Sequence, residues 1–147
     1  ASENMIQDRP SLTSIPGAKR AVKAAYKMAG LEPKDINMAQ VHDCFTIAEL
    51  IAYEDCGFAE PGKGREIVEN KENYIDGRIP VNCDGGLKSK GHPLGATGVS
   101  MTYEIMKQMR GEAENHSRQI KDVQYGLAHN VGQSGQFVNV FIFERGW

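Results

Sequence analysis

The chain has 147 residues, of which 40% are hydrophobic and 24% charged, with a formal net charge of −2 at pH 7. This size fits one domain, and the balance excludes a disordered chain, which combines low hydrophobicity with high net charge. No basic excess indicates nucleic-acid binding, and no apolar run reaches the roughly 18–20 residues of a membrane span. Three widely spaced cysteines (Cys44, Cys56 and Cys83) form no disulfide framework, so we expect a cytoplasmic setting without a membrane or nucleic-acid partner.

The first elements follow from periodicity. Residues 1–14 are polar and aperiodic, which predicts an N-terminal arm before a domain over 15–147. After Pro16, apolar residues recur at helical spacing up to Gly30, and they are Ala18, Ala21, Val22, Ala25 and Met28. Residues 36–42 predict a short strand.

A second helix is predicted from Thr46 to a stop at Gly57. Thr46 and Glu49 have the spacing of a capping box. The apolar face of this helix consists of Ile47, Leu50 and Ile51. Residues 59–78 are mostly loop, with room for one helical turn, and residues 79–83 predict a second short strand.

The rest of the chain predicts one helix and two strands. Val99, Tyr103 and Met106 mark the face of a third helix, continued by Met109 or Arg110 and ended by Gly111. Residues 123–129 and 136–143 predict strands joined by a hairpin-type turn at 132–135. The last strand is apolar on both faces, which is typical of a buried position in a sheet. The order α-β-α-β-α-β-β predicts a layered α/β domain whose mixed sheet is flanked by helices.

Three loops at predicted strand ends carry the candidate functional residues, because ligands of such sheets bind beyond the strand ends. His42, Asp43 and Cys44 follow the first strand, a glycine-rich loop over 85–98 follows the second, and residues 129–135 form the terminal turn. The glycine-rich loop lacks the Lys-Ser/Thr of a nucleotide P-loop.

Cys44 has two interpretations. Its place before a helix predicts a lowered pKa and a reactive thiolate, since helix N-termini favour negative charge. Otherwise it is a small buried residue, which is also our interpretation of Cys56 and Cys83.

The two remaining loop histidines also have a functional and an ordinary interpretation. His92 lies in a loop whose glycines, among them Gly91 and Gly95, let a substrate approach the backbone, or it is an ordinary loop histidine. His129 precedes a turn whose backbone N–H groups could receive an oxyanion, although a plain hairpin explains the same glycines. A zinc site formed by His42, Cys44, His92 and His129 is the rival hypothesis, but the usual paired ligand spacings are missing and we expect no metal.

Three motifs together resemble the C-terminal half of a thiolase over about residues 15–143. They are Val41-His42-Asp43-Cys44-Phe45, Gly-His-Pro-Leu-Gly-Ala-Thr-Gly at 91–98, and His129-Asn130-Val131-Gly132. Gly-His-Pro is highly specific to thiolases. His-Asp-Cys-Phe narrows the resemblance to sterol-carrier-protein-type thiolases and archaeal acetyl-CoA acetyltransferases.

The resemblance implies a Claisen condensation of acetyl-CoA to acetoacetyl-CoA, or the reverse thiolysis. Coenzyme A thioesters are then substrates, and no bound cofactor is implied. The active site of a thiolase lies between two similar halves, and the nucleophilic cysteine belongs to the N-terminal half. None of the three cysteines matches that position and the chain starts at Ala1, so we expect a truncated C-terminal domain that is inactive alone.

Roles follow from position in the resemblance. His92 deprotonates the missing cysteine and helps to bind the thioester oxygen, and Cys44 removes the α-proton of the attacking acyl-CoA. His42 replaces an oxyanion-hole asparagine, with or without a water. A backbone N–H near Val131 and Gly132 completes a second oxyanion hole. His129 stands where other thiolases have an acid/base cysteine.

Two departures from the thiolase pattern affect these roles. Gln133 and Ser134 interrupt a glycine run beside the second oxyanion hole. Lys88 and Lys90 add charge before His92, where they either contact the coenzyme A tail or are solvated, and we favour solvation.

The resemblance also implies partners. Full-length relatives form homo-oligomers, and archaeal ones are expected in a complex with hydroxymethylglutaryl-CoA synthase. Two alternatives stay open, namely a non-catalytic docking module in such a complex and a 3-ketoacyl-CoA thiolase of lipid degradation.

Overall fold

The computed structural model describes residues 9–147. Within this range the helices and strands follow in the order α1 (Pro16–Ala29), β1 (Met38–Val41), α2 (Thr46–Asp55), α3 (Gly64–Glu69), α4 (Gly86–Lys90), α5 (Thr97–Met109), β2 (Tyr125–Gly132) and β3 (Phe137–Glu144). Single 3₁₀ turns lie at Pro33–Asp35 and His116–Arg118. No helix among the described residues is long and apolar enough to cross a lipid bilayer.

The predicted arm lies partly outside the described residues, since residues 1–8 are not among them. Its last residues pack against the end of α2. The Ser14 hydroxyl and the Ile15 N–H both donate to the Asp55 carboxylate, each at 2.7 Å. The arm therefore meets the domain at Ser14.

The sheet is mixed, with the strand order β1-β2-β3. β1 runs parallel to β2 with Val41 opposite His129, and β3 runs antiparallel to β2. A short turn at 133–136 joins β2 to β3, and within it Gln133 and Gly135 adopt positive φ. The predicted α/β class with a mixed sheet flanked by helices is confirmed.

The core lies on both faces of the sheet, because successive side chains of a strand point to opposite sides. Ala39, Val41 and Leu127 pack in one cluster with residues of α1 and α2. Met38 and Ala128 pack in a second cluster with α5. The strand ends are thus held between two helical layers.

The predicted strand over 79–83 is wrong in extent. Only Val81 pairs with the sheet, through an isolated parallel bridge to Ala39. The chain then leaves the sheet, because Asn82 has a positive φ and Gly85 and Gly86 both adopt left-handed conformations. The short helix α4 follows instead of a strand.

The capping box predicted for α2 does not form. The N-cap is Phe45, and no side chain caps the helix. Glu49 instead accepts a hydrogen bond from the Tyr53 hydroxyl at 2.7 Å. The buried face also differs from the prediction, since Ile47 is exposed while Ala52, Tyr53 and Cys56 are buried.

Three other apolar residues that the sequence placed on buried helix faces are exposed. On α5, Val99 and Tyr103 are 70% and 54% exposed, and Met101 and Ile105 are buried instead. Met109, which the prediction gave as one option for the face, is buried. On α1, Met28 is exposed and Tyr26 is buried, where its hydroxyl donates to the Cys56 carbonyl at 3.1 Å.

The prediction of a buried β3 is also wrong, because β3 lies at one edge of the described sheet. Val138 is fully buried, whereas Phe137 and Phe141 are 57% and 55% exposed. An apolar sequence therefore does not place this strand in the sheet interior.

Candidate active site

The parallel pairing of β1 and β2 brings two of the predicted loops together. His42 directly follows β1, and Asn130 lies in β2 one residue beyond the partner of Val41. The Nδ1 atom of His42 lies 3.1 Å from Oδ1 of Asn130, although 88 positions separate the two residues. Ligands of α/β sheets bind beyond such strand ends, and we call this region of the molecule the crevice.

The contact with Asn130 fixes the tautomer of His42. An amide oxygen can only accept, so Nδ1 carries the proton and Nε2 keeps a lone pair. Burial lowers the pKa of His42, and the neighbouring His92 lowers it further. His42 is therefore a neutral imidazole whose Nε2 accepts hydrogen bonds.

His92 reaches the same crevice from the glycine-rich loop. Its ring meets the His42 ring edge-on, with the centroids 4.8 Å apart and the planes at 82°. Its Nδ1 lies 2.7 Å from the Thr97 hydroxyl oxygen, and that hydroxyl donates to the Pro93 carbonyl at 3.2 Å. Because the Thr97 proton is already used, His92 Nδ1–H donates to Thr97, and Nε2 is the ring nitrogen left to exchange a proton with another group.

Cys44 lies two residues beyond His42 and is half-buried. The predicted lowering of its pKa is wrong, since burial raises the pKa of this thiol and the nearby Asp43 raises it further. The N–H of Phe45, the N-cap of α2, favours the thiolate, but burial has the larger effect. Cys44 is a thiol at neutral pH and a stronger base once it is ionised.

Cys56 and Cys83 do not compete with Cys44. Cys56 is fully buried, and burial raises the pKa of its thiol. Burial also raises the pKa of Cys83 to about 12. Cys44 is the most ionisable of the three thiols, as expected for the cysteine that carries chemistry.

His129 lies apart from the ring contact. It alternates with Ala128 along β2 and therefore faces the same side of the sheet as Leu127, towards α1 and α2. The side chain is 1% exposed, and neither ring nitrogen has a hydrogen-bond partner among residues 9–147. Burial lowers the pKa of His129 to about 4, with a further contribution from His42.

The backbone positions predicted to bind substrate lie in two places. Val131 and Gly132 end β2, opposite Val138 and Phe137. Gly91 and Gly95 border His92, and a Cβ at either position would meet no atom within 4 Å. The glycine-rich loop therefore leaves its backbone open, and the N–H donor at 131–132 stays a prediction.

The two lysines before His92 differ in their contacts. Lys90 forms an ion pair with the buried Asp84 carboxylate and also lies 3.1 Å from the Ser100 hydroxyl. Lys90 is nonetheless exposed, as expected for a solvated lysine, and the ion pair was not predicted. Lys88 lies over the Phe45 ring, with its Nζ 5.8 Å from the ring centroid.

Sequence reasoning missed Thr97 and Asn130, which hold the two imidazoles, and Gly98, which makes room for Asn130. A Cβ on Gly98 would lie 2.9 Å from the Asn130 amide nitrogen. Thr97 and Gly98 belong to the motif at 91–98, so their place in that motif could have marked them as site residues. Among the described residues, no three His, Cys, Asp or Glu side chains are grouped as metal ligands.

The sequence of the chain is similar to those of known proteins. A family model described as "Thiolase C-terminal domain-like" matches residues 1–145. The chain is 46% identical over 140 residues to an acetyl-CoA acetyltransferase of Methanothermobacter thermautotrophicus, which covers 95% of this chain and 36% of that relative. It is 37% identical over 155 residues to sterol carrier protein 2 of Bos taurus, covering 99% and 28%.

A solved structure shows the same fold. A chain of the Ltp2-ChsH2(DUF35) aldolase superposes with a TM-score of 0.84 at 23% identity. The match covers all of this chain and 38% of that one. The chain therefore spans about a third of the length of the relatives and of the structure that it matches.

Proposed function

Since the chain belongs to the thiolase C-terminal domain-like family, we propose that it supplies half of an acetyl-CoA acetyltransferase active site. The reaction is the Claisen condensation of two acetyl-CoA molecules to acetoacetyl-CoA and free coenzyme A, or the reverse thiolysis. A nucleophilic cysteine from the rest of a longer protein carries the acetyl group as a thioester.

His92 serves as the base for that cysteine. Its Nδ1–H is held by Thr97, so the free Nε2 takes the thiol proton when the cysteine attacks the first acetyl-CoA. The protonated Nε2 then donates to the thioester oxygen. When the enolate of the second acetyl-CoA attacks the acyl thioester, the cysteine is expelled as a thiolate, and His92 returns the same proton to it.

Cys44 and His42 serve the second substrate. The Cys44 thiol first donates its proton to the coenzyme A sulfur that leaves the first acetyl-CoA, which releases free coenzyme A and leaves Cys44 as a thiolate. This thiolate then removes a proton from the methyl carbon of the second acetyl-CoA, and the resulting enolate carbon attacks the acyl thioester. His42 Nε2 is an acceptor, so His42 stabilises the enolate oxygen through a water that donates to both. The raised pKa of Cys44 makes its thiolate a stronger base for this step.

The observation that carries the proposal is the edge contact between His42 and His92 at 4.8 Å, with each Nδ1 held by its own partner. Two free Nε2 atoms from distant loops therefore share one crevice beside Cys44. This pairs a base for the acyl step with an oxyanion partner for the enolate step. The match to acetyl-CoA acetyltransferases supports the acetyl substrate.

The test is acetoacetyl-CoA thiolysis, measured with the longer parent protein and with this chain alone. Each is compared with the variants Cys44→Ser and Cys83→Ser. A serine hydroxyl is a far weaker acid than a thiol, so we expect Cys44→Ser in the parent to lose about 10²-fold or more of kcat. Cys83→Ser is the matched control, because Cys83 is a free and partly buried cysteine like Cys44, and the thiolase resemblance gives it no role.

The outcomes separate the hypotheses. An active parent that Cys44→Ser inactivates supports the proposal. A folded but inactive parent indicates the docking module instead. Turnover by the isolated chain would mean that Cys44 is the nucleophile, and the division of roles given above would be wrong.

A further inference from the structure

We propose that Asp43 is a positioning residue that ties the loop of His42 and Cys44 to the loop of His92. Asp43 stands between the two site residues in sequence, and its side chain is 2% exposed. The inference rests on the proposed function for its catalytic consequence. The tie itself is a structural claim that is testable without turnover.

The carboxylate of Asp43 accepts two backbone hydrogen bonds from helix α4. The Leu87 N–H donates to Oδ1 at 2.8 Å, and the Lys88 N–H donates to Oδ2 at 3.3 Å. These groups have no partner within a helix that begins at Gly86, because the first turn lacks preceding carbonyls. Asp43 therefore completes the start of α4 from the neighbouring loop.

Helix α4 ends at Lys90, directly before Gly91 and His92. A five-residue helix is a stiff spacer of about 7.5 Å at 1.5 Å per residue. Fixing its first turn on Asp43 fixes the place where the His92 loop begins. His42 and Cys44 are the sequence neighbours of Asp43. One carboxylate therefore fixes the positions of His42, Cys44 and His92 relative to one another.

The close approach requires glycine at position 86. A Cβ there would lie 2.7 Å from Asp43 Cγ and 2.8 Å from Oδ1, and the residue has φ +61°. A side chain at 86 would push the carboxylate away from the helix. Asp43 and Gly86 therefore act together, because the carboxylate accepts from the helix only when position 86 has no side chain.

The charge of Asp43 also acts on the groups around it. Those groups are His42 and Cys44 on its own loop, Glu49 and Tyr53 on α2, and Lys88 on α4. Burial raises the pKa of Cys44 and the charge of Asp43 raises it further, while Lys88 opposes both. Neutralising Asp43 should therefore make Cys44 ionise at lower pH, which a purely structural residue would not do.

The central variant is Asp43→Asn in the parent protein. Its amide oxygen can still accept from Leu87, but its NH₂ group faces the Lys88 N–H, so one bond is lost. We expect kcat for thiolysis to fall about 10²-fold with KM nearly unchanged, because small displacements of catalytic groups have effects of this size. In this chain alone, the rate of Cys44 alkylation by iodoacetamide at pH 8 should rise roughly twofold or more.

Asp55→Asn is the matched control. Asp55 is equally buried and accepts from Ser14 and Ile15 at 2.7 Å, but it lies at the far end of α2. It should lower the melting temperature without changing Cys44 alkylation. If Asp55→Asn changes the alkylation rate as much as Asp43→Asn does, the effect is general loosening and the proposal is wrong.

Two glycine variants, one in α4 and one as its control, test the same contact without a change at Asp43. Gly86→Ala adds a methyl group against Asp43, whereas Gly111→Ala imposes a similar left-handed strain at φ +71° with nothing within 4 Å. Only Gly86→Ala should reduce kcat. Equal losses in both variants would overturn the proposal.

One measurement uses only the wild-type chain, so it remains informative even if the variants misfold. Scalar coupling across the hydrogen bond between the Leu87 nitrogen and the Asp43 side-chain carbon should be detectable by NMR in the wild-type chain. Its absence in a folded chain would refute the tie. If the tie and the Cys44 response are found but the parent has no thiolysis activity, the proposed function fails and the positioning of the loops stands.

Discussion

At the residue scale, the hydrogen-bond partner of Nδ1 determines which ring nitrogen of each site imidazole is left as an acceptor. Asn130 holds Nδ1 of His42 and Thr97 holds Nδ1 of His92. The two Nε2 atoms are then left as acceptors. Neither partner is a charged residue, so the arrangement sets the tautomer without adding charge to the crevice.

Thr97→Val tests this for His92. Valine has the shape of threonine but cannot accept the Nδ1–H, so the ring is free to place its proton on Nε2 and lose its basic nitrogen. We expect kcat for thiolysis by the parent protein to fall about 10–10²-fold. Thr97→Ser keeps the hydroxyl and should retain most of the activity, and equal losses in both variants would show that packing rather than the hydroxyl matters.

His129 gives a prediction about pH and stability. Its pKa is lowered to about 4 from an ordinary 6.5, so the unfolded chain binds more protons than the folded chain between these values. The contribution to the free energy of unfolding is complete above pH 6.5 and is lost as the pH falls towards 4. From pH 7 to pH 5 the loss is about 2 kcal/mol, and the lowered pKa of His42 adds to it.

Urea unfolding at pH 7 and pH 5 measures this loss. His129→Gln should reduce the difference between the two pH values, whereas His116→Gln should leave it unchanged, because His116 is exposed. A wild-type stability that is flat between pH 7 and pH 5 would contradict the buried, neutral state of His129.

At the element scale, the sequence predicted the helices better than their faces. The existence and limits of α1 followed from its spacing and from Gly30, which indeed ends the helix in a left-handed conformation. On α5, Val99 and Tyr103 have helical spacing as good as that of Met101 and Ile105. Which stripe is buried depends on where β2 passes, and Gly126 of β2 leaves room for Ile105.

The partners of the site residues could not be predicted for a related reason. The motifs identified His42, Cys44 and His92 because these residue types carry the chemistry. Asn130 holds His42 only through the parallel register of β1 with β2, which joins residues 88 positions apart. The burial of Cys44, which reversed the expected direction of its pKa shift, likewise depends on packing and not on its place before a helix.

At the scale of the whole molecule, the sheet ends in an exposed apolar strand. Within residues 9–147, β3 pairs with β2 on one side, and no strand is paired with its other edge. Phe137 and Phe141 project from it more than half exposed. Long apolar edge strands of this kind pair readily with other chains.

We therefore expect the isolated chain to self-associate through β3. Sedimentation velocity over a concentration series should show a weight-average mass that increases with concentration. Phe141→Lys should suppress the increase, because charge on an edge strand disfavours pairing with a second copy. Tyr74→Lys is the matched control, since Tyr74 is as exposed but lies outside the sheet. A clean monomer at high concentration contradicts the prediction, and equal suppression by both variants would assign the association to exposed aromatic surface in general.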